Sequence, residues 1–175
     1  MYRVLIIVPT AGSVHARNAA FCEYQATRQK QEVRVNDQLV CLDSIKTIDR
    51  PIDHNRNRAV RLFLSKPDWT HLFFLDSDVE PPLDAIDRLL KLDAPIASGV
   101  YPLCLTGGLR WAVLDRDPQG AYRCMDALPS PKSPFEADAA GAGCLLIRRD
   151  VLSRLGWPWF MYEHTEHTKT GEDVF

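Results

Sequence analysis

Short apolar runs alternate with longer amphipathic stretches over the first hundred residues of the chain. The runs at 4–8, 71–75 and 95–101 are bounded by turn residues, a pattern typical of strands buried on both faces of a sheet. Residues 33–42 predict one or two short strands broken by an Asn-Asp turn. The intervening stretches predict three helices, from Ser13 to about Arg28, at 54–65 after a capping Asp53, and at 83–91. Strand and helix therefore alternate, which predicts an α/β sheet with helices on both faces.

The pattern changes after residue 101. Two β-like stretches, 109–114 and 122–125, flank the turn-rich sequence at 115–120, which predicts a β-hairpin. The remaining predicted elements are a brief strand at 136–139, a buried strand at 144–147 and a short helix at 150–155. Because repeats and low-complexity linkers are absent from the sequence, we expect one domain covering residues 1–175.

Composition narrows the class of protein. A chain of 175 residues with 46% hydrophobic residues is long enough to bury a core without disulfides. The formal net charge of -2 gives no basic field for a nucleic-acid partner. The five cysteines form no C-x-x-C pair, and no apolar run reaches membrane length. We therefore expect a cytoplasmic protein with free thiols and no transmembrane segment.

Two carboxylates follow the strongest predicted strand, in the triplet Asp76-Ser77-Asp78. Ligands of open α/β sheets bind beyond the carboxyl ends of the strands. If the backbone stays extended, Asp76 and Asp78 project to the same side, where their charges repel unless a cation lies between them. Mg²⁺ or Mn²⁺ shared with a diphosphate meets that need. The alternative is that both carboxylates cap the following turn and face water.

Further short motifs surround this triplet in a fixed order and extend over nearly the whole chain. The motifs are 4–10, 56–59, 71–78, 99–102, 140–149 and 171–175. Together they resemble the family 2-like glycosyltransferases of the GT-A fold. The resemblance implies a nucleotide-diphospho-sugar transferase fold, which is Rossmann-like: a mixed, mainly parallel sheet flanked by helices, with a β-hairpin insertion.

The resemblance also implies roles for individual residues. Asp76 and Asp78 match the family's D-x-D motif, which holds Mn²⁺ or Mg²⁺ and, with Ser77, the donor diphosphate. The remaining implied residues of the nucleotide site are Pro9, Thr10 and Ala11 after the first strand, and Arg56 and Asn57 near the start of a helix. The loop at 141–143 would lie beneath the sugars, where small residues let the backbone come close. The implied donor is a nucleotide-sugar, with UDP favoured, and the acceptor is an unknown glycan, lipid or protein.

Glu172 and Asp173 match the family's E-D motif. Its aspartate is usually taken as the base that accepts the proton of the acceptor hydroxyl in an inverting transfer. The alternative is an acidic pair at a helix N-terminus, where it complements the helix dipole. Family members usually continue past this motif, so the resemblance implies a domain that is truncated at its C-terminus relative to the family.

Two other functions remain open at this point. A relative inactivated by truncation would bind nucleotides or carbohydrates without catalysis. A nucleotidyltransferase would share the sheet and the metal carboxylates, but it would carry a glycine-rich, basic loop after the first strand. Residues 9–15 contain one glycine and neither lysine nor arginine, which makes this a poor fit.

Overall fold

A computed structural model describes residues 1–10, 15–28, 31–48, 51–105, 108–129 and 133–161 of the chain, without the side chains of residues 48 and 105. Four helices and eleven strands lie in these ranges. They are β1 (Tyr2–Thr10), α1 (Ala16–Arg28), β2 (Arg34–Val35), β3 (Gln38–Ile48), α2 (Ile52–Ser65), β4 (His71–Leu75), α3 (Ala85–Lys91), β5 (Ile96–Ser98), β6 (Pro102–Leu105), β7 (Gly108–Trp111), β8 (Val113–Arg116), β9 (Tyr122–Cys124), β10 (Ala139–Ala140), β11 (Cys144–Arg148) and α4 (Arg149–Arg154).

Six of these strands form one mixed sheet in the order β2-β3-β1-β4-β11-β5. β1 is parallel to both β3 and β4, whereas β11 runs antiparallel to β4 and β5. The short β2 forms a hairpin with β3, and its turn residues Asn36 and Asp37 both adopt positive φ. Asn and Asp tolerate this left-handed conformation better than most residues, which explains the predicted break at this pair.

Helices cover both faces of the sheet, and the alternation of β1 shows how. Its residues Val4, Ile6 and Val8 pack with Phe21 of α1 and Ile86 of α3. On the opposite face, Leu5 and Ile7 of β1 pack with residues of α2, α4 and β4. β1 and β4 are therefore buried on both faces, which is why their sequences read as continuous apolar runs.

Two small antiparallel sheets lie outside the main one. β8 pairs with β9, from Leu114 with Cys124 to Arg116 with Tyr122, which confirms the predicted hairpin. The predicted strand at 109–114 is divided, however, because its first part, β7, pairs with β6 instead. Between the two parts, the backbone N–H of Ala112 donates to the carbonyl of Tyr101.

Several element boundaries differ from the predicted ones. β1 continues through Thr10 rather than ending at Val8, because its parallel pairing with β3 extends to the last residue of both strands. α2 begins at Ile52 after Pro51, so Asp53 lies within the first turn and does not cap the helix as predicted. α3 begins at Ala85. These shifts leave the order of the elements unchanged.

The fold class is therefore α/β, with a curled mixed sheet flanked by helices. In the described part of the chain, none of the helices combines the length and the apolar character needed to cross a membrane.

Candidate functional site at the carboxyl ends of β1 and β4

The strand order creates a crevice beside β1. From β1 the chain passes to β3 on one side and then crosses to β4 on the other. In open α/β sheets, ligands bind at such a switch point, beyond the carboxyl ends of the two neighbouring strands. Here those ends are Thr10 and Leu75, and Asp76 follows the latter directly.

The carboxylates after β4 lie on a turn, which we call the acidic turn (residues 76–79). The backbone N–H of Val79 donates to the carbonyl of Asp76 at 3.0 Å, so the chain does not stay extended. The expected alternation of Asp76 and Asp78 along a strand therefore does not apply, because the strand ends at Leu75. A turn instead places the two carboxylates in different environments.

Asn18 of α1 holds the acidic turn in place. Its Nδ2 donates to the carbonyls of Asp76 at 2.8 Å and Val79 at 3.2 Å, and the residue is fully buried. The backbone N–H of His15 also donates to the carbonyl of Ser77 at 3.0 Å. Sequence reasoning missed Asn18, although a signal exists: it occupies the buried stripe of α1 together with Phe21.

Arg56 of α2 pairs with Asp76. Its Nη2 lies 2.8 Å from Oδ1 and 3.0 Å from Oδ2 of Asp76. The arginine is only 2% exposed, and its guanidinium lies 5.9 Å from the centroid of the Phe160 ring. Removing one partner of a buried ion pair typically costs about 3–5 kcal/mol, because the other charge is left uncompensated. Arg56 thus fixes and neutralises the first carboxylate of the acidic turn.

Asn57, the next residue of α2, is bound to the segment that covers Arg56. Its Nδ2 donates to the carbonyl of Phe160 at 2.6 Å, and its Oδ1 accepts from the backbone N–H groups of Trp159 and Phe160. The ring of Phe160 packs edge-on against Phe74 of β4. The amide of Asn57 therefore anchors this segment over the sheet.

Asp78 differs from Asp76 in that it is exposed and, among the described residues, forms neither a hydrogen bond nor an ion pair. An ionised carboxylate of this kind is an acceptor only and suits a hard cation. No group of three or more His, Cys, Asp and Glu side chains that could hold a metal occurs in the described ranges. With Asp76 paired to Arg56, a cation such as Mg²⁺ or Mn²⁺ would have Asp78 as its one unengaged carboxylate in this turn and would need phosphate and water to complete its shell.

Three polar side chains at the other wall of the crevice have unengaged acceptor atoms. They lie at the carboxyl end of β3 and the start of α2: Thr47 Oγ1, Asp53 Oδ1 and Asn55 Oδ1 are buried and find no hydrogen-bond partner among the described residues. Asn55 is fully buried, and its Nδ2 donates to the carbonyl of Thr47 at 3.3 Å. Buried acceptors are usually paired with protein groups or with ordered water.

Tyr101 supports the acidic turn from the side of β11. Its hydroxyl accepts from the backbone N–H of Gly143 at 2.8 Å, and burial raises the pKa of Tyr101 to about 12, so the hydroxyl stays protonated. A Cβ at Gly143 would lie 2.6 Å from this oxygen, and one at Gly141 would also collide with it. The small residues of the 141–143 loop therefore make room for Tyr101.

The structure brings together only some of the residues expected in the site. Pro9 and Thr10 are buried within β1, at the crevice, and the Ser77 side chain is partly buried in the acidic turn. The expected site residues Ala11, Glu172 and Asp173 lie outside the described residues.

Comparison with known proteins identifies a similar fold. No protein-family model matches this sequence, and no curated protein matches it. The crystal structure of A197 from STIV is similar, with a TM-score of 0.57 and 21% sequence identity, over 91% of this chain and 71% of A197. At this level of identity the similarity concerns the fold alone.

Proposed function

We propose that the protein binds a nucleotide-sugar together with Mn²⁺ or Mg²⁺ in the crevice between β1 and β4, and transfers the sugar to an acceptor. The observation that carries this proposal is the acidic turn itself. One carboxylate, Asp76, is paired with Arg56, and the other, Asp78, is exposed and has no partner among the described residues at this edge of the sheet.

The charges of the turn suit a diphosphate held through a cation. Asp78 would hold the cation, and Asp76 contributes a carboxylate whose position Arg56 already fixes. A cation held there by Asp78 would supply charge neutralisation for the diphosphate leaving group. Asn18 keeps the backbone of the turn in one conformation, so little of it has to be ordered upon binding.

The unengaged acceptors at the start of α2 support a nucleotide base at the other end of the crevice. Asn55 Oδ1 and Asp53 Oδ1 can accept hydrogen bonds but cannot donate them. A base such as uracil carries an N–H donor on its edge. Occupation by such a donor removes the cost of about 1–3 kcal/mol that a buried, unsatisfied acceptor carries.

The base of the reaction is proposed to be Asp173, beside Glu172. An inverting transfer needs one carboxylate to accept the proton of the attacking acceptor hydroxyl, while the cation serves the leaving group. The base and the cation site require two separate sets of carboxylates. In this proposal Asp173 is the base, and the acidic turn holds the cation.

Isothermal titration with UDP tests the site. We expect binding in the presence of Mn²⁺ that weakens at least tenfold with EDTA or in Asp78→Asn. Asp84→Asn is the matched control, because Asp84 is an exposed carboxylate in a surface ion pair with Arg88. Equal affinity with EDTA, or no binding, would contradict the proposal.

Incubation with a panel of nucleotide-sugars then tests the chemistry. Release of UDP with Mn²⁺, lost in Asp173→Asn, is the result expected of an inverting transferase. Binding without release from any donor would instead identify a protein that binds nucleotide-sugars without transferring them.

A further inference from the structure

An apolar pocket lies directly beside the acidic turn. Its volume is about 220 Å³, and it is formed by the loop after the turn, by α3 and by the residues after β5. The side chains that give it its apolar character are Val79, Pro82, Ala85, Leu89, Val100 and Tyr101. Small-molecule sites in proteins are typically concave and mostly apolar, with few polar groups.

The charged residues at the pocket have their charges engaged elsewhere. Glu80 lies 2.6 Å from Nδ1 of His15 and forms an ion pair with Arg17 at 2.9 Å, both toward α1. Arg88 pairs with Asp84 on α3 at 2.8 Å. The pocket therefore offers an apolar surface rather than a charged one.

The polar atoms in the floor of the pocket are uncharged. Burial raises the pKa of the Cys144 thiol to about 11, so the thiol stays protonated. A Cβ at Gly99 would lie 2.6 Å from the sulfur of Cys144, so the absence of a side chain at Gly99 lets the thiol occupy the floor. The hydroxyl of Tyr101 accepts the N–H of Gly143. None of these groups favours a charged ligand.

The pocket is also held in shape without a ligand. Gln25 of α1 is fully enclosed and donates from Nε2 to the carbonyl of Leu83 at 2.7 Å, which fixes the loop between Pro82 and α3. On the other side, Val79 is bonded to Asp76 through the turn. The pocket and the acidic turn share Val79, so the pocket borders the last residue of that turn.

We infer that this pocket binds an apolar group of the acceptor substrate, either a single aromatic ring or a short alkyl chain. The assignment of the ligand as the acceptor substrate rests on the proposed function, in which the neighbouring crevice between β1 and β4 holds the donor. A dry apolar cavity of about 150 Å³ accommodates benzene. The volume here, about 220 Å³, therefore suits one ring or a chain of similar bulk.

The test is a titration of the ¹⁵N-labelled protein followed by NMR, with three probes: n-octyl β-D-glucoside below its critical micelle concentration, phenyl β-D-glucoside and methyl β-D-glucoside. We expect the octyl or the phenyl probe to shift the amide signals of residues 79, 85–89 and 99–101, and the methyl probe to leave them in place. The stronger of the two active probes identifies the chemical source of the apolar group.

Val100→Asn is the variant that tests the pocket, because Val100 lines it and is 39% exposed, so the substitution leaves the fold intact. We expect at least a fivefold loss of affinity for the active probe. Ile96→Asn is the matched control four residues earlier, on β5, 51% exposed and outside the pocket, and we expect less than a twofold change.

Three outcomes would overturn the inference: no shift with either apolar probe, equal shifts with the methyl probe, or displacement of the bound probe by UDP with Mn²⁺. Failure of the proposed function looks different, because UDP then fails to bind while the apolar probes still do. In that case the pocket remains an apolar site, and only its role as an acceptor site is lost.

Discussion

The two walls of the crevice use buried polar side chains in opposite ways. On α1, Asn18, Gln25 and Arg28 are buried, and each makes hydrogen bonds to the segment between β4 and the end of α3. At the start of α2, Asn55 and Asp53 have buried acceptor atoms that find no hydrogen-bond partner among the described residues. The first set holds the acidic turn and its surroundings in place, whereas the second set has acceptor atoms that the described residues do not use.

The difference shows how a site can be separated from its scaffold. A satisfied buried polar group contributes to stability, and its removal leaves its partner unsatisfied. An unsatisfied one lowers stability unless an ordered water or a ligand pairs with it. The same type of substitution should therefore lower mainly the stability of the protein when it is made on α1, and mainly the affinity for the ligand when it is made at the start of α2.

The largest effect is expected at the ion pair between Arg28 and Asp87. Arg28 is 5% exposed, and its Nη2 lies 2.8 and 2.7 Å from the two carboxylate oxygens of Asp87. Asp87→Ala leaves this charge buried without its partner, so urea denaturation should show a loss of about 4 kcal/mol. Asp84 lies three residues before Asp87 and forms an exposed ion pair with Arg88. Asp84→Ala should therefore lower the free energy of unfolding by about 0.5 kcal/mol or less. Equal losses in the two variants would show that the buried pair of Arg28 and Asp87 stabilises the fold no more than an exposed pair does.

His71, at the opposite end of β4, should make the stability of the protein depend on pH. Burial, followed by the charge of Arg148, lowers the pKa of His71 from 6.5 to about 4. Between these values the unfolded chain binds a proton that the native protein does not, so native stability falls as the pH decreases from about 6.5 to about 4. The total contribution is about 3 kcal/mol at most.

The measurement is urea denaturation at several pH values between 7 and 4, on the wild type and on His71→Phe. The phenyl ring preserves the edge contact with Tyr2, whose ring centroid lies 5.3 Å from that of the histidine. The variant should lose part of the pH dependence in this window. A variant with the same pH dependence as the wild type would show that His71 is protonated in the native state.

Asn18→Leu tests the supporting wall at the site itself. The substitution removes the hydrogen bonds to the carbonyls of Asp76 and Val79, and we expect a loss of about 2 kcal/mol in the free energy of unfolding. Glu23→Leu on the exposed face of the same helix is the control, with an expected change within about 0.5 kcal/mol. UDP affinity should also fall in Asn18→Leu, since the acidic turn loses its fixed conformation.

Asn55→Leu tests the unsatisfied wall with the same change of residue type. The substitution removes Oδ1, which makes no hydrogen bond to the described residues, and one hydrogen bond of 3.3 Å from Nδ2 to the carbonyl of Thr47. We therefore expect a loss of about 1 kcal/mol in the free energy of unfolding, smaller than that of Asn18→Leu. Affinity for UDP with Mn²⁺ should fall about tenfold, which is about 1.4 kcal/mol. A loss of stability as large as that of Asn18→Leu, with unchanged affinity, would assign Asn55 to the scaffold instead.

Local sequence pattern predicted the elements that are buried on both faces and the acidic residues at their ends. β4 was predicted at its observed bounds, because a continuous apolar run is the direct consequence of burial in the centre of the sheet. The position of Asp76 at the edge follows from the same run. The environment of Asp76 does not, because Arg56 lies 20 residues away in sequence.

Long-range contacts set the parts of the site that the sequence did not reveal. Asn57 binds residues 102 and 103 positions later, and Asn18 binds a turn 58 to 61 positions later. The insertion of β11 between β4 and β5 is likewise a property of packing rather than of any local pattern. A buried polar residue on an amphipathic helix, such as Asn18, is the one such signal that sequence alone displays.

Hydrogen–deuterium exchange with UDP and Mn²⁺ tests most directly whether the crevice is the nucleotide site. We expect slower amide exchange at the acidic turn and in the first turn of α2, with unchanged exchange in β8 and β9. The protection should disappear in Asp78→Asn. Protection confined to other regions, or no protection at UDP concentrations that saturate the Mn²⁺-dependent binding, would contradict the account.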